Sequence, residues 1–295
     1  MTLPVRSQFR LIHRLRVRWA EVDQQRIVFN PHYLMYIDTA FTEYWRALAV
    51  PYEMIPEMLG GDVYVKKSTL QYEGSARLDD LLDVGIQCAR IGRSSMDFQC
   101  GIFLNDRLLV SAELVYVFAD PATQKSKPVP DILRDMLQAH EAGASPIDIR
   151  LGSWADLGPQ AAALRRAVFV DELQIAHGLE HDAADNAAVH ALLRNRLGTP
   201  LATGRLLQEG PALARISRVA VSRTMRSTGF GRVVMQTLMQ IAAERGDTRV
   251  ILQSQCSAEG FYTHLGFVPI GEPYVEAGVP HIDMARRLGA VSGSV

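Results

Sequence analysis

The chain has 295 residues, 48% of them hydrophobic and 21% charged, with a formal net charge of −1. Domains of ~100 to 200 residues are the norm, so this length predicts two, and the apolar content suffices for two cores. The near-neutral charge excludes the cationic excess that binding a nucleic-acid backbone requires, so no nucleic-acid partner is expected.

The first expected element is a strand. Leu11, His13, Leu15, Val17 and Trp19 alternate with Ile12, Arg14, Arg16 and Arg18, a period of two with one basic face. Asp23 follows it. Asn30 suits a helix N-cap, and Pro31 suits the first helical turn, whose N–H needs no partner. Leu34, Ile37, Phe41, Tyr44, Trp45 and Leu48 then recur at helical spacing, and so bulky a face must be buried against a broad surface. Strand-like runs at 63–72, 82–91, 96–104 and 108–118 supply that surface, with Asn105-Asp106 as a hairpin turn. Pro121, Pro128 and Pro130 mark a loop, and Ile132, Leu133, Met136 and Leu137 an amphipathic stretch before a proposed linker at 141–146.

The run Val17-Arg18-Trp19-Ala20-Glu21-Val22-Asp23, continued by Ile27-Val28-Phe29-Asn30 and Tyr33-Leu34, resembles the 4-hydroxybenzoyl-CoA thioesterase-like family. Arg77-Leu78-Asp79-Asp80 is a further recurrent piece of that family, and the resemblance covers roughly residues 8 to 138. It implies a hotdog fold, in which an antiparallel sheet wraps one long helix, and hydrolysis of acyl-CoA thioesters. Asp23 is then the carboxylate, acting as base or nucleophile. Backbone N–H groups near His32 and Tyr33 would polarise the carbonyl at the helix start, and the Asn30 amide could assist. The resemblance also implies a homodimer or homotetramer formed through this domain. Related thioesterases usually carry glycine where this chain has Arg26, and many carry tyrosine and histidine in place of Trp19 and Asn30. Glu43 sits within the apolar helix, either as a second acidic group or, the reading preferred, as part of a partly exposed face.

In the second half, Ile216-Ser217-Arg218-Val219-Ala220-Val221 reads as a strand, and Val233, Val234, Leu238, Ile241 and Ala242 recur at helical spacing. Between them lies Arg226-Ser227-Thr228-Gly229-Phe230-Gly231, a glycine-bearing turn opening a helix, where free N–H groups suit an anion. Phe261-Tyr262-Thr263-His264-Leu265-Gly266-Phe267 follows, a helix end leading to a strand. With Val168-Phe169-Val170-Asp171-Glu172 before them and Glu276-Ala277-Gly278-Val279-Pro280-His281 after, these motifs resemble the GNAT superfamily of acetyl-CoA-dependent N-acyltransferases over roughly residues 147 to 288.

That resemblance implies that Arg226, Ser227, Thr228, Gly229, Phe230 and Gly231 hold the coenzyme A pyrophosphate, while Val219 and Val221 offer backbone groups to the pantetheine arm. Tyr262 would protonate the departing thiolate, and Glu172 is a candidate base acting through water. Leu173 stands where this branch usually has glutamine and Ser257 where it has histidine, both on the presumed acceptor side. His281 reads as structural or acceptor-facing.

Cys88, Cys100 and Cys256 show no C-x-x-C spacing, so neither zinc nor a disulfide framework is expected, and a reducing cytoplasm fits. No leader-like segment opens the chain and no run of ~18 apolar residues occurs, so no membrane partner is expected. The expected organisation is α+β in two domains, a hotdog at 1–140 and a GNAT-like mixed α/β domain at 147–295. The expected function is a bifunctional acyl-CoA enzyme, a thioesterase and an acetyltransferase toward an unidentified amine, with acyl-CoA and acetyl-CoA as substrates and no metal. Two alternatives stay open: the second half only binds acyl-CoA as a regulatory module, or the first half only drives oligomerisation.

Overall fold

The computed structural model describes residues 3–276 and 278–289. Ala277, part of the motif at 276–284, lies outside the described residues, as do 1–2 and 290–295. The chain divides into two compact units, Met1–Pro146 and Ile147–Val295.

The first unit is one antiparallel sheet and a central helix. Strands β1 (Leu11–Arg16), β2 (Asp62–Tyr72), β3 (Leu81–Ile91), β4 (Ser95–Leu104) and β5 (Arg107–Ala119) lie in the order β1-β3-β4-β5-β2. Helix α1 (Pro31–Ala47) packs against them, and short α2 (Ile55–Leu59) and amphipathic α3 (Asp131–Glu141) complete the unit. This is the hotdog arrangement expected from the resemblance.

The periodicity of α1 works as read: Tyr33, Tyr36, Ile37, Ala40, Phe41, Tyr44 and Trp45 are buried. Ile37 and Phe41, removed from water, each stabilise by about 1.5–3 kcal/mol. Phe41 stacks on Tyr116 with centroids 4.0 Å apart, fixing the helix to β5. Leu34 departs from the expectation, being 38% exposed, because it lies one position past the buried stripe. Gly85 has a steric reason: a Cβ there would stand 2.4 Å from the Phe9 ring, which lies flat on β3. The expected hairpin forms, with Leu104 opposite Arg107 and Asn105 at φ 57°. The first strand ends sooner than its alternation suggests. After Arg16 the chain leaves the sheet, and Trp19 begins a 3-10 turn with 81% of its surface exposed.

The second unit is a seven-stranded mixed sheet flanked by helices. Its elements are β6 (Ile147–Gly152), α4 (Trp154–Arg165), β7 (Val189–Asn195), β8 (Pro200–Gly210), β9 (Leu213–Val221), α5 (Phe230–Glu244), β10 (Arg249–Gln255), α6 (Glu259–His264), β11 (Val268–Glu276) and β12 (Val279–Arg287). The order is β11-β12-β10-β9-β8-β7-β6. Ser153 starts α4 through a capping box with Asp156, and a π-helical segment, Arg166–Glu172, continues from its end.

One pairing positions the site. β9 and β10 run parallel but pair only at Leu213, Ala214 and Arg215 with Arg249, Val250 and Ile251. Beyond that point the two strands exchange no pairs, and a cleft opens in the sheet. β9 keeps its bonds to β8 on the other side, interrupted by a bulge at which Arg218 adopts φ 54°.

Candidate functional site

In the first unit, Asp23 sits at the start of a tight loop closed by the Val22–Val28 bridge. The Asp23 N–H donates to the Ile27 carbonyl at 2.9 Å, the Arg26 N–H to the Asp23 carbonyl at 2.9 Å, and the Gln25 N–H to Asp23 Oδ1 at 2.8 Å. Arg26 is exposed at φ 61°, a left-handed conformation that explains why glycine suits this position. Asp23, Phe29 and His32 line one shallow depression, so the loop and the start of α1 do come together.

The expected oxyanion donors need correction. The His32 N–H already donates to the Phe29 carbonyl at 2.9 Å and the Tyr33 N–H to the Asn30 carbonyl at 3.3 Å. Tyr33 is a buried core residue whose hydroxyl accepts from the Ala76 N–H at 2.9 Å, so its side chain is structural. Asn30 occupies the N-cap position, but its side chain makes no capping bond. Among the described residues, its backbone N–H and side-chain amide have no partner, which leaves Asn30 as the available donor at this helix start. His32 Nδ1 lies 3.2 Å from Met35 Sδ.

Sequence reading missed Glu21. It is 3% exposed, and accepts from the Arg18 N–H at 2.7 Å, Arg18 Nε at 2.6 Å and the Tyr36 hydroxyl at 2.7 Å. Burial pushes its carboxyl up, but the bonds from Arg18 and Tyr36 outweigh it and hold Glu21 below the usual range. It ties the Asp23 loop to α1. No sequence signal separates a carboxylate buried this way from an exposed one. Arg77-Leu78-Asp79-Asp80 forms the turn that docks β1 on β3, with the Val17 N–H donating to the Asp80 carbonyl at 2.9 Å. Glu43 pairs with Arg46 on a half-buried face of α1.

In the second unit, the cleft between β9 and β10 is a cavity of about 730 Å³. It gathers most of the residues expected to bind a cofactor: Val219 and Val221 from β9, Arg226, Ser227, Gly229, Phe230 and Gly231 from the turn, and Tyr262 from α6. Gly229, at φ 91°, is the N-cap of α5, and Ser227 is also left-handed at φ 65°. These reversals leave the N–H groups of residues 227–232 without an acceptor among the described residues. Such a concave row at a helix start, reinforced by the helix dipole, attracts an anion. Beside it, the β9 edge left bare by the splayed β10 offers main-chain groups to an extended amide chain.

Two expected residues do something else. Thr228 does not line the cavity, and its hydroxyl donates to the Met225 carbonyl at 2.6 Å, bracing the turn. Glu172 is not a free carboxylate: Arg226 Nη1 and Nη2 each donate to it at 2.7 Å, holding it well below the usual range and making it a weak base. Tyr262 is half-buried, and burial pushes its hydroxyl up to about 12, so it stays protonated at neutral pH. Leu173 and His281 line the cavity, whereas Ser257 is exposed on the turn before α6.

A buried ion network beneath β9 also escaped sequence reading. Arg165, wholly buried, donates from Nη1 to Asp185 Oδ1 at 2.8 Å and stacks 5.1 Å from the Trp154 ring centre. His190 Nε2 is 2.9 Å from the Asp185 carbonyl, which can only accept, so the proton sits on Nε2 and Nδ1 faces Arg165 Nη2 at 3.2 Å. Arg205 grips Asp182 at 2.6 and 2.8 Å and reaches Ser217 Oγ at 2.8 Å, and Arg218 joins Asp182 at 2.9 Å. The strained bulge of β9 is thus pinned from below by paired charges. Arginines spread across a helix and two strands carry no spacing that announces such a network.

Among the described residues, no cluster of three or more His, Cys, Asp or Glu could hold a metal ion, and no helix is long and apolar enough to cross a membrane. Residues 25–111 match the thioesterase superfamily, and residues 157–288 match the acetyltransferase (GNAT) domain. The uncharacterized protein YyaT of Bacillus subtilis is 30% identical over 47% of this chain and 94% of its own length. The uncharacterized N-acetyltransferase YjcF of the same organism is 30% identical over 42% of this chain and 87% of its own. A Thermus thermophilus thioesterase complexed with coenzyme A and Zn is 22% identical, covering 46% of this chain and 96% of its own, with a TM-score of 0.41. The second unit therefore belongs to the GNAT acetyltransferases, and the first unit carries the match to the thioesterase superfamily.

Proposed function

We propose that this protein is a bifunctional acyl-CoA enzyme, whose second unit transfers an acetyl group from acetyl-CoA to an amine and whose first unit hydrolyses acyl-CoA thioesters. The observation that carries the reading is the row of unpartnered N–H groups at 227–232, opening on the same cavity as the bare β9 edge and the Tyr262 hydroxyl. Pyrophosphate on the row and pantetheine along Val219 and Val221 would bring a thioester toward Tyr262. That tyrosine, protonated at neutral pH, can give its proton to the leaving thiolate.

In the first unit Asp23 is the base or nucleophile, held by three main-chain bonds at the rim of the depression. Asn30 supplies the donors to the thioester carbonyl, and His32 borders the substrate. Trp19, Phe29 and Met35, exposed by 81%, 49% and 49%, lie near this loop and suit cover by a second copy, so the working form is a homodimer or homotetramer. The three unpaired cysteines suit a reducing compartment such as the cytoplasm.

A second reading keeps only hydrolysis and makes the second unit an acyl-CoA sensor. The pairing of Glu172 with Arg226, which removes the candidate base, favours it. Thiol release from short, long and aromatic acyl-CoAs, with and without amines, separates the readings. Asp23→Ala is expected to abolish amine-independent release alone, and Tyr262→Phe amine-dependent release alone. Hydrolysis undiminished in Asp23→Ala would refute the assignment of that residue.

A further inference from the structure

One wall of the second-unit cavity has a distinct chemical character. Leu173, Ile175 and Leu179 line it together with Phe169, and Leu173 and Leu179 are 39% and 52% exposed. Large apolar side chains left in water at a cavity wall mark the place of an apolar ligand group. The cations here are committed elsewhere: Arg218 to Asp182, and Arg226 to Glu172. Arg232 stands in the first turn of α5, beside the phosphate row. With Arg232 assigned to the phosphates, none is left to receive an acceptor carboxylate. The only carboxylate lining the cavity among the described residues is Glu276, at the end of β11.

His281 shares this end of the cavity, paired in register with Gln255 of β10 and with Tyr274 of β11. Its Nδ1 lies 2.8 Å from the Val279 carbonyl, which can only accept, so Nδ1 carries the proton and Nε2 keeps the lone pair. The ring stacks on Tyr274 at 6.2 Å and 24°, and Tyr274 in turn donates to Asp283 at 2.9 Å, so the tautomer and the plane are both fixed. The charged and titratable groups around it are Tyr274, Glu276 and Asp283 on these strands and Arg215 on β9, and Arg215 is paired with Glu209.

We infer that the acceptor is a primary amine on an apolar body, without a carboxylate, and that His281 is the catalytic base that deprotonates it. This inference rests on the acetyl-transfer reading and deepens it. The ammonium is drawn by Glu276 and gives one proton to His281 Nε2. The freed nitrogen pair attacks the thioester carbonyl carbon, and the C–S bond breaks as the tetrahedral adduct collapses. Tyr262 gives its proton to the thiolate and recovers the second proton lost by the nitrogen, while His281 passes the first to water. The products are an amide, coenzyme A thiol and one proton.

The test uses the full chain with acetyl-CoA, comparing phenylethylamine and hexylamine with phenylalanine. The apolar amines should be preferred in kcat/KM by at least about 10-fold, since a buried carboxylate would find no partner. His281→Gln should lower kcat by roughly 10²-fold with the acetyl-CoA Kd unchanged. His281→Phe, which keeps the stack on Tyr274, should do the same with acetyl-CoA affinity unchanged. Equal use of phenylalanine would overturn the acceptor class, and full activity in His281→Gln would overturn the base. If acetyl-CoA binds and no amine is acetylated, the acetyl-transfer reading itself fails.

Discussion

Arg26→Gly tests whether the Asp23 loop is held in a conformation its sequence resists. Three main-chain contacts, the Val22–Val28 bridge and the bonds from Asp23 and Arg26, force residue 26 to φ 61°. A side chain there costs roughly 1–2 kcal/mol through contact of Cβ with the following carbonyl. Glycine removes that cost but gains about 0.5–1 kcal/mol of freedom in the unfolded chain. The net is a stabilisation of about 0.5–1 kcal/mol, because the exposed guanidinium leaves no packing behind. Hydrogen exchange of the core amides of β4 and β5 reads global opening of this unit directly, and should slow by roughly 2- to 5-fold. Arg26→Ala keeps the Cβ and should change exchange little. Alanine matching glycine would show that the side chain rather than the backbone is responsible, and faster exchange in the glycine variant would refute the strain.

At Gly231, an added Cβ would stand 3.2 Å from Phe261 Cζ and 3.3 Å from Val221 Cγ2, at the wall of the phosphate row. Gly231→Ala should therefore weaken acetyl-CoA binding about 5-fold, the equivalent of ~1 kcal/mol, by calorimetry; unchanged affinity would mean that the turn does not meet the ligand. Tyr262→Phe should lower the acetyl-transfer kcat by about 10²-fold while leaving the acetyl-CoA Kd alone, and a change in Kd without one in kcat would make the tyrosine a packing residue. The bonds from Arg205, then its charge and that of Arg218, hold Asp182 far below the usual carboxylate range. A depressed carboxylate stabilises above its unfolded pKa of about 3.9 and loses that contribution as pH falls toward the native value. Asp182→Asn should hence be less stable than wild type at pH 7, with the gap narrowing in acid; a gap independent of pH would exclude the charge as its source.

Legibility in the sequence followed the range of the interaction. Period and turn chemistry are local, so the buried face of α1, the Asn105-Asp106 hairpin and the helix start at Gly229 could be read directly. The row of free N–H groups at this helix start was legible because its donors are main chain and its two glycines, Gly229 and Gly231, lie one residue apart. What failed was pairing between distant residues. Nothing near Glu172 tells that Arg226 will take both its oxygens, and nothing near Arg165 tells that it will be wholly buried against Asp185. The donors expected at His32 and Tyr33 failed for a different reason: the first turn of α1 closes on Phe29 and Asn30 and uses them. Trp19 misled because alternation continued past the point where the strand leaves the sheet.

The two candidate sites differ in where their free donors come from, main chain in the second unit and a side chain in the first, and this sets how each should respond to substitution. In the second unit the donors are a consequence of backbone path: left-handed Ser227 and Gly229 turn a row of N–H groups outward, and the network from Arg165 to Arg218 braces the neighbouring bulge. Side chains on that turn can change with little effect unless they add bulk where the backbone must approach a ligand, as at Gly231. In the first unit the N–H groups of His32 and Tyr33 are already used within the turn, so the proposed polarisation rests on Asn30, and Asp23 is the one carboxylate among the described residues lining its depression. That site therefore depends on individual side chains, and on Glu21, whose bonds to Arg18 and Tyr36 hold the loop against the helix. Losing Glu21 would leave the Tyr36 hydroxyl buried without its acceptor, a cost of about 1–3 kcal/mol, and would release the Asp23 loop without touching the substrate.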